Sequence, residues 1–207
     1  DIMSLGIHRV WKKDLIFWMS PKENKNLIDV ASGTGDIAKL FSKLTNNKSK
    51  VLCIDPNKKM LLKGKEKLSN LKNIQWKIGN AENLPVNNDC YEYYSISFGL
   101  RNTKNIGKSL SEAFRVLKPG GRFFCLEFSK VENEKLDLLY ANYSKFLPLV
   151  GKLVLGDSMP YKYLTESIKN FIDQKTLIEL MKKNGFENCS YRNLSGGVAA
   201  IHSGWKI

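Results

Sequence analysis

Three carboxylates and two glycines are the residues of this chain whose types and spacing could do chemistry. Asp29 and Asp36 bracket the turn Ser32-Gly33-Thr34-Gly35, and Asp55 closes the next apolar run, Val51-Leu52-Cys53-Ile54. Glycines let the backbone approach a ligand closely and take φ angles that a side chain forbids. The free N–H groups of a helix starting there face whatever sits over the turn. Gly33, Gly35 and Ala38 spell G-x-G-x-x-A, and an acid about 20 residues further on can take both hydroxyls of a ribose. A nucleoside-bearing ligand is expected, held between a bare turn and Asp55.

The flanking elements must position those groups. Leu27–Ala31 reads as a buried parallel strand, and the pattern Ile37, Leu40, Phe41, Leu44 as the amphipathic helix after the turn. Residues 57–68 look helical, Ile74–Ile78 is a third strand, and Tyr91–Phe98 is a fourth that ends in Gly99-Leu100-Arg101-Asn102. A helix with Ile106, Leu110, Ala113, Phe114 and Leu117 on one face is closed by Lys118-Pro119-Gly120-Gly121, and Arg122–Phe128 is the fifth strand. Residues 132–170 are less regular, with a helix expected through Leu136, Leu139, Tyr140 and Tyr143, then Gly- and Pro-marked turns, then Tyr161-Lys162-Tyr163-Leu164. A helix over 174–184 leads into strand-like runs at 186–194 and 197–205, joined by a hairpin-like turn at Gly196-Gly197. Residues 7–19 form a helix with Ile7, Val10, Trp11, Leu15 and Trp18 on one side and His8, Arg9, Lys12 and Lys13 beside it. Such a helix packs as a lid or lies on a membrane. The alternation predicts an α/β fold: a mostly parallel seven-stranded sheet with an antiparallel C-terminal edge strand and helices on both faces. The carboxyl ends of its strands would carry Ser32–Asp36, Asp55, Gly79–Glu82 and Ser97–Asn102 into one crevice.

The 207 residues suffice for one core, and the 43% hydrophobic content is that of an ordinary globule. No apolar run approaches the roughly 18 residues of a membrane span. The start, Asp1-Ile2-Met3-Ser4, has no signal-peptide pattern and reads as cut into, so an upstream targeting segment is expected to be missing. Lys and Arg total 33 against 20 Asp and Glu, a net charge of +13 that favours anionic partners unless it is a compositional habit spread over the surface. Cys53, Cys90, Cys125 and Cys189 lie far apart, and with only His8 and His202 beside them no metal site is expected. Reduced thiols in a cytosol-like compartment follow.

Two cofactors suit a glycine turn followed by an acid. A dinucleotide brings a pyrophosphate that Asp29 and Asp36 would repel, whereas S-adenosylmethionine brings a sulfonium and an amino acid that they suit. Asn80 can hydrogen-bond an adenine edge, and Pro56 and Met60 offer apolar walls. Ordinary roles exist for these residues: a helix-start charge at Asp36, a turn former at Asn80, core packing at Met60. Jointly they favour the methyl donor.

The chain resembles the ubiquinone/menaquinone biosynthesis C-methyltransferases, a family of class I S-adenosylmethionine-dependent enzymes. The resemblance runs over nearly the whole chain. It rests on Ser4-Leu5-Gly6-Ile7-His8-Arg9, Gly33-Thr34-Gly35-Asp36, Ile96-Ser97-Phe98-Gly99-Leu100-Arg101-Asn102, Arg115-Val116-Leu117-Lys118-Pro119-Gly120-Gly121, Leu126-Glu127-Phe128-Ser129-Lys130 and Tyr163-Leu164. Ser32 departs from the family's usual glycine and Glu92 from its aspartate, and a Tyr-Asp-bearing segment belongs upstream of Asp1. The resemblance implies a Rossmann-like class I methyltransferase domain over 1–207, with residues 1–20 as an N-terminal lid helix and 130–172 as a substrate-covering insertion. It implies donor binding by Gly33, Thr34, Gly35, Asp55, Asn80, Ala81 and Ser97, catalysis by Arg101 and Asn102, and no metal. The substrate would be a polyprenylated quinol and the product S-adenosylhomocysteine. Partners would be the membrane surface by peripheral contact, other quinone-biosynthesis proteins and a second copy of the chain, not nucleic acid. The expected place is the cytoplasmic face of a bacterial inner membrane, or the matrix side of the mitochondrial inner membrane in a eukaryote. Tyr140, Tyr143, Phe146, Leu149, Val150 and Leu153, with Trp11 and Trp18, could wall a tunnel for the prenyl tail or simply pack. His202 has a suitable ordinary pKa for a base but reads better as a satisfied strand histidine. Rival readings are a nucleic-acid methyltransferase, which would welcome the charge, and a non-catalytic subunit of a quinone-synthesis complex. Ser97-Phe98-Gly99-Leu100 stands where amine-methylating enzymes carry Asn/Asp-Pro-Pro-aromatic, which disfavours the first.

Overall fold

The structure, a computed structural model, describes residues 6–131 and 159–207. The strands are β1 (Leu27–Val30), β2 (Val51–Asp55), β3 (Ile74–Ile78), β4 (Tyr91–Ser97), β5 (Leu117–Phe128), β6 (Glu187–Leu194) and β7 (Ala199–Trp205). The helices are α1 (His8–Met19), α2 (Asp36–Leu44), α3 (Lys58–Lys67), α4 (Ile106–Val116), α5 (Met159–Asn170) and α6 (Gln174–Lys183). The strands form one sheet in the order β3-β2-β1-β4-β5-β7-β6. Pairing is parallel from β3 to β5, and β7 runs antiparallel to both of its neighbours. The mostly parallel seven-stranded sheet read from the sequence is therefore present, with the antiparallel strand one place in from the edge that β6 occupies.

β1 and β2 are buried at every residue, as strands covered on both faces must be. On one face Leu110 and Ala113 of α4 and Leu177 and Met181 of α6 pack with Phe186 against Tyr94 and Phe123. On the other, Trp11 and Leu15 of α1 and Ile37 and Phe41 of α2 pack against Tyr93, Phe124 and Leu126. Asn57, Asn105 and Asp173 cap α3, α4 and α6 by accepting backbone N–H groups, so these helices begin where a side chain replaces the missing intrahelical acceptor.

Two elements differ from the sequence pattern. β5 starts at Leu117 rather than Arg122, because Leu117 pairs with Tyr91 and the Gly120–Gly121 peptides bond to Lys206 on the far side. Residues 159–170 form a helix in a stretch to which the sequence pattern assigns no regular element; Pro160 sits in its first turn, where a missing N–H costs nothing. The expected helix through Leu136–Tyr143, the tunnel residues from Tyr140 to Leu153 and most of the 130–172 insertion lie outside the described residues, as do residues 1–5 of the N-terminal lid.

Candidate active site

The parallel order reverses direction between β1 and β4, which opens a crevice at their carboxyl ends. Both strands leave the sheet through backbone that side chains rarely adopt: Ala31 has φ 53° and Phe98 φ 57°. Gly99 makes this approach feasible, since a Cβ there would stand 2.3 Å from the Cβ of Ala31. Between the two loops lies a cavity of about 220 Å³ lined by Asp29, Ser32, Gly33, Thr34, Ser97 and Phe98, with Met60 and Lys12 at its sides. Gly33 and Gly35 take φ 56° and 78°, as the turn requires.

Asp55, at the end of β2, ties the turn down. Its Oδ2 accepts the Gly33 N–H at 2.9 Å and its Oδ1 the Asn57 N–H at 2.8 Å, linking the glycine turn to the start of α3. Asp29, within β1, is fully buried beside its neighbour in register on β4, Ser95, whose hydroxyl donates to Oδ1 at 2.7 Å. Among the described residues its Oδ2 has no hydrogen-bond partner, and neither have the Ser32 and Ser97 hydroxyls. Burial pushes the Asp29 carboxyl up from its ordinary 3.8 to about 7, against the smaller opposing pull of Ser95 and Lys12. Three buried polar atoms with nothing to bond, at one cavity, are the mark of a site shaped for a polar ligand. The donor set fits S-adenosylmethionine: an unpartnered carboxylate oxygen and hydroxyls for its amino-acid end, and Asp55 beside the turn for its ribose.

A carboxyl group whose pKa rises on folding binds extra protons in the native state. That excess spans roughly pH 4 to 7 for Asp29, so its contribution to stability falls as pH rises through that window. The Tm of Asp29→Asn relative to wild type is therefore expected to rise as pH rises from about 4 to about 7. Taking the difference removes His202, whose pKa burial lowers to about 4 and whose contribution runs the other way. A pH-independent difference would contradict the placement of this carboxylate.

Asp36 does not face the cavity as a free charge. Lys12 reaches its Oδ2 at 2.8 Å and Lys67 its Oδ1 at 2.7 Å, and the pair holds its carboxyl down at about 2. Of the two acids bracketing the turn, only Asp29 is left to meet a cation. Thr34 lines the cavity, with its hydroxyl 3.5 Å from Lys67 Nζ. Ala81 is buried, while Asn80 is exposed and its Oδ1 accepts the Glu82 N–H at 3.0 Å, a turn-forming bond that leaves the amide Nδ2 for an adenine edge.

Arg101 sits in a short helical turn, Leu100–Asn102, directly after β4. Its guanidinium is buried against Glu127 of β5: Nη1 lies 2.8 Å from Oε1, and the two side chains are 8% and 1% exposed. Nη1 also donates to the Phe98 carbonyl at 2.7 Å and the Arg101 backbone N–H to Glu127 Oε2 at 3.3 Å, so both charges are wired into the loop that borders the cavity. The Arg101 guanidinium lies 5.4 Å from the centre of the Phe128 ring. Phe128, Phe98 and Trp11 form an aromatic cluster with centroids 5.0–6.2 Å apart. Arg101 Nε approaches Ser167 Oγ at 3.4 Å, and Tyr163 donates to Asn102 Oδ1 at 3.3 Å, so α5 is tied to the same turn.

Glu127 was not singled out from the sequence, although an acid inside the run Phe123–Phe128 could have been: a buried strand carboxylate needs a cation. Trp18 does not line this cavity; it stands between Arg122 and Arg192, at 5.4 and 4.3 Å. His202 is interior to the sheet, its Nε2 at 3.2 Å from the Gln174 carbonyl and its Nδ1 without a partner among the described residues. The four cysteines are free, and burial raises the pKa of Cys53 and Cys125 well above the thiol range. Among the described residues no group of three or more His, Cys, Asp or Glu could hold a metal ion, and no helix is long and apolar enough to cross a membrane.

Comparison with known proteins gives the same picture. Residues 1–206 match the ubiE/COQ5 methyltransferase family. A ubiquinone/menaquinone biosynthesis C-methyltransferase of Brucella canis is 45% identical over 213 aligned residues, covering all of this chain and 79% of that protein. Its counterpart in Brucella anthropi is 46% identical, with 81% of that protein covered. Among solved structures, an S-adenosylmethionine-dependent methyltransferase from Aquifex aeolicus superposes with TM-score 0.73 at 16% identity, over 98% of this chain and 94% of that one. That likeness shows the fold.

Proposed function

Since the chain belongs to the ubiE/COQ5 methyltransferase family, we propose that its acceptor is the ring carbon of a polyprenylated benzoquinol, of the 2-methoxy-6-polyprenyl-1,4-benzoquinol type, with demethylmenaquinol as a second acceptor. The protein is an S-adenosylmethionine-dependent C-methyltransferase of ubiquinone/menaquinone biosynthesis. The observation that carries the finer reading is the buried Arg101, packed with an aromatic cluster and donating to the carbonyl of Phe98, which lines the cavity that holds the Asp29 carboxylate.

When bound, S-adenosylmethionine supplies a methyl group on a sulfonium. The chain supplies the rest. Asp29 answers the ammonium of the donor, Asp55 its ribose, and Ser97 and the glycine turn hold it in orientation. Arg101 stabilises the charge that builds on the quinol oxygen as the ring carbon becomes nucleophilic. Its Nη2 makes no hydrogen bond within the described residues, and Phe128 and Phe98 beside it keep that charge out of water. A guanidinium does not give up its proton near neutrality, so Arg101 acts as a fixed cation and not as a base. Asn102 positions the quinol oxygen.

A polyprenyl tail places the substrate in a bilayer. The +13 net charge and the exposed Val10 and Phe17 on α1 support peripheral contact with an anionic surface, on the inner face of a bacterial membrane or the matrix side of a mitochondrial one. One assay tests the reading: transfer of radiolabelled methyl to a short-chain 2-methoxybenzoquinol and to demethylmenaquinol in detergent, then to the long-chain benzoquinol in neutral and in acidic vesicles. Turnover of the benzoquinol, faster on acidic vesicles at low salt, is expected. Label in neither quinol would overturn the substrate, and equal rates on the two vesicles would overturn the membrane contact.

A further inference from the structure

The amino-acid end of the methyl donor carries two opposite charges, and the groups named so far answer one of them. Asp29 suits the ammonium. A carboxylate brought into the same cavity meets Asp29 and Asp36, and like charges at such range repel. The cavity wall has one cation among its described residues, Lys12. We infer that Lys12, on α1, binds the carboxylate of the methyl donor and thereby sets the preference of the site for donors that carry one. This rests on the reading that the crevice above Gly33 and Asp55 is the donor site.

The placement supports it. Lys12 lines the cavity that holds Asp29, Gly33 and Ser97 and also the neighbouring one between α1 and α2, so its ammonium stands at the boundary of the two. Its side chain is 18% exposed, with Nζ held 2.8 Å from Asp36 Oδ2. An ammonium has three protons to donate, and among the described residues the Lys12 ammonium makes this one hydrogen bond. A second acceptor can join without the first leaving. Asp36 has a partner of its own in Lys67 at 2.7 Å on its other oxygen, so sharing Lys12 does not strand a carboxylate. The arrangement is an acid held by two lysines at the edge of a site with an open acceptor opposite, which is what a ligand with both charges on one carbon needs.

The consequence is selective, and selectivity tests it. S-adenosylhomocysteine and S-adenosyl-3-thiopropylamine differ only in the carboxylate. Calorimetric titration of both into wild type, Lys12→Met and Lys12→Arg compares them on one scale. Lys12→Met keeps the length of the aliphatic stem and removes the charge. Wild type is expected to favour S-adenosylhomocysteine on the order of 10- to 100-fold, the worth of a charged hydrogen bond. Lys12→Met should lose that preference while holding the amine as tightly as wild type, and Lys12→Arg should keep most of it. Lys12→Met weakening both ligands equally, or keeping the preference, would overturn the inference, as would a wild type without preference. A wild type that binds neither ligand would overturn the donor site itself, and the role of Lys12 with it.

Discussion

Arg101→Ala is expected to lower methyl transfer on the order of 10²-fold or more while donor affinity stays near that of wild type. The same change should destabilise the fold by about 3–5 kcal/mol, because it leaves the Glu127 carboxylate buried without its cation. The two effects have different origins and can be separated. Burial already raises the Glu127 pKa, against the opposing pull of Arg101. Without the arginine that pull is gone, so the pKa rises further and the carboxyl stays protonated over a wider range. A group with a raised native pKa loses its stability contribution as pH rises through that pKa. The deficit of Arg101→Ala should therefore shrink toward acid pH. Adding Glu127→Gln removes the stranded charge, and the double variant should recover most of the lost Tm. It should not recover turnover, because no cation then meets the quinol oxygen. If the double variant turns over like wild type, Arg101 serves Glu127 and not the substrate.

Asp55→Ala is expected to weaken S-adenosylhomocysteine on the order of 10²-fold, as read by titration calorimetry, with catalytic groups left intact. Asp55 does two things that one substitution removes together. It offers oxygens to the ribose, and it fixes the turn by accepting Gly33 N–H and Asn57 N–H. Losing two hydrogen bonds to a charged acceptor leaves two backbone donors to find water, at about 1–3 kcal/mol each. Asp55→Asn should lose less, since Oδ1 can still accept while its amide cannot serve Gly33. Donor binding lost in Arg101→Ala and kept in Asp55→Ala would reverse the assignment of the two sites.

What was readable in the sequence follows from how locally each feature is encoded. The turn at Gly33 and Gly35, the strands on either side and Asp55 lie within one strand–helix–strand unit, where periodicity and punctuation decide the structure. The alternation of strands and helices likewise fixed the sheet and the end at which ligands bind. The charge partners were not readable, because each joins residues distant in sequence. Arg101 and Glu127 are 26 residues apart, and Lys12 and Asp36 are 24 apart. Only the parallel pairing of β4 with β5, and the packing of α1 beside α2, bring them together. Hence Asp36 reads in the sequence as a ligand for a cationic donor although two lysines hold it, and Glu127 reads as part of a motif rather than as the counter-ion of Arg101. α5 escaped for another reason: Tyr161-Lys162-Tyr163-Leu164 is too short a run to show a helical period, and Pro160 is harmless at the helix start.

The account depends on where the donor sits. A crystal soaked with S-adenosylhomocysteine should show density over Gly33, with the ribose against Asp55 and the amino-acid end between Asp29 and Lys12. Density at any other place, with this crevice empty, would contradict it.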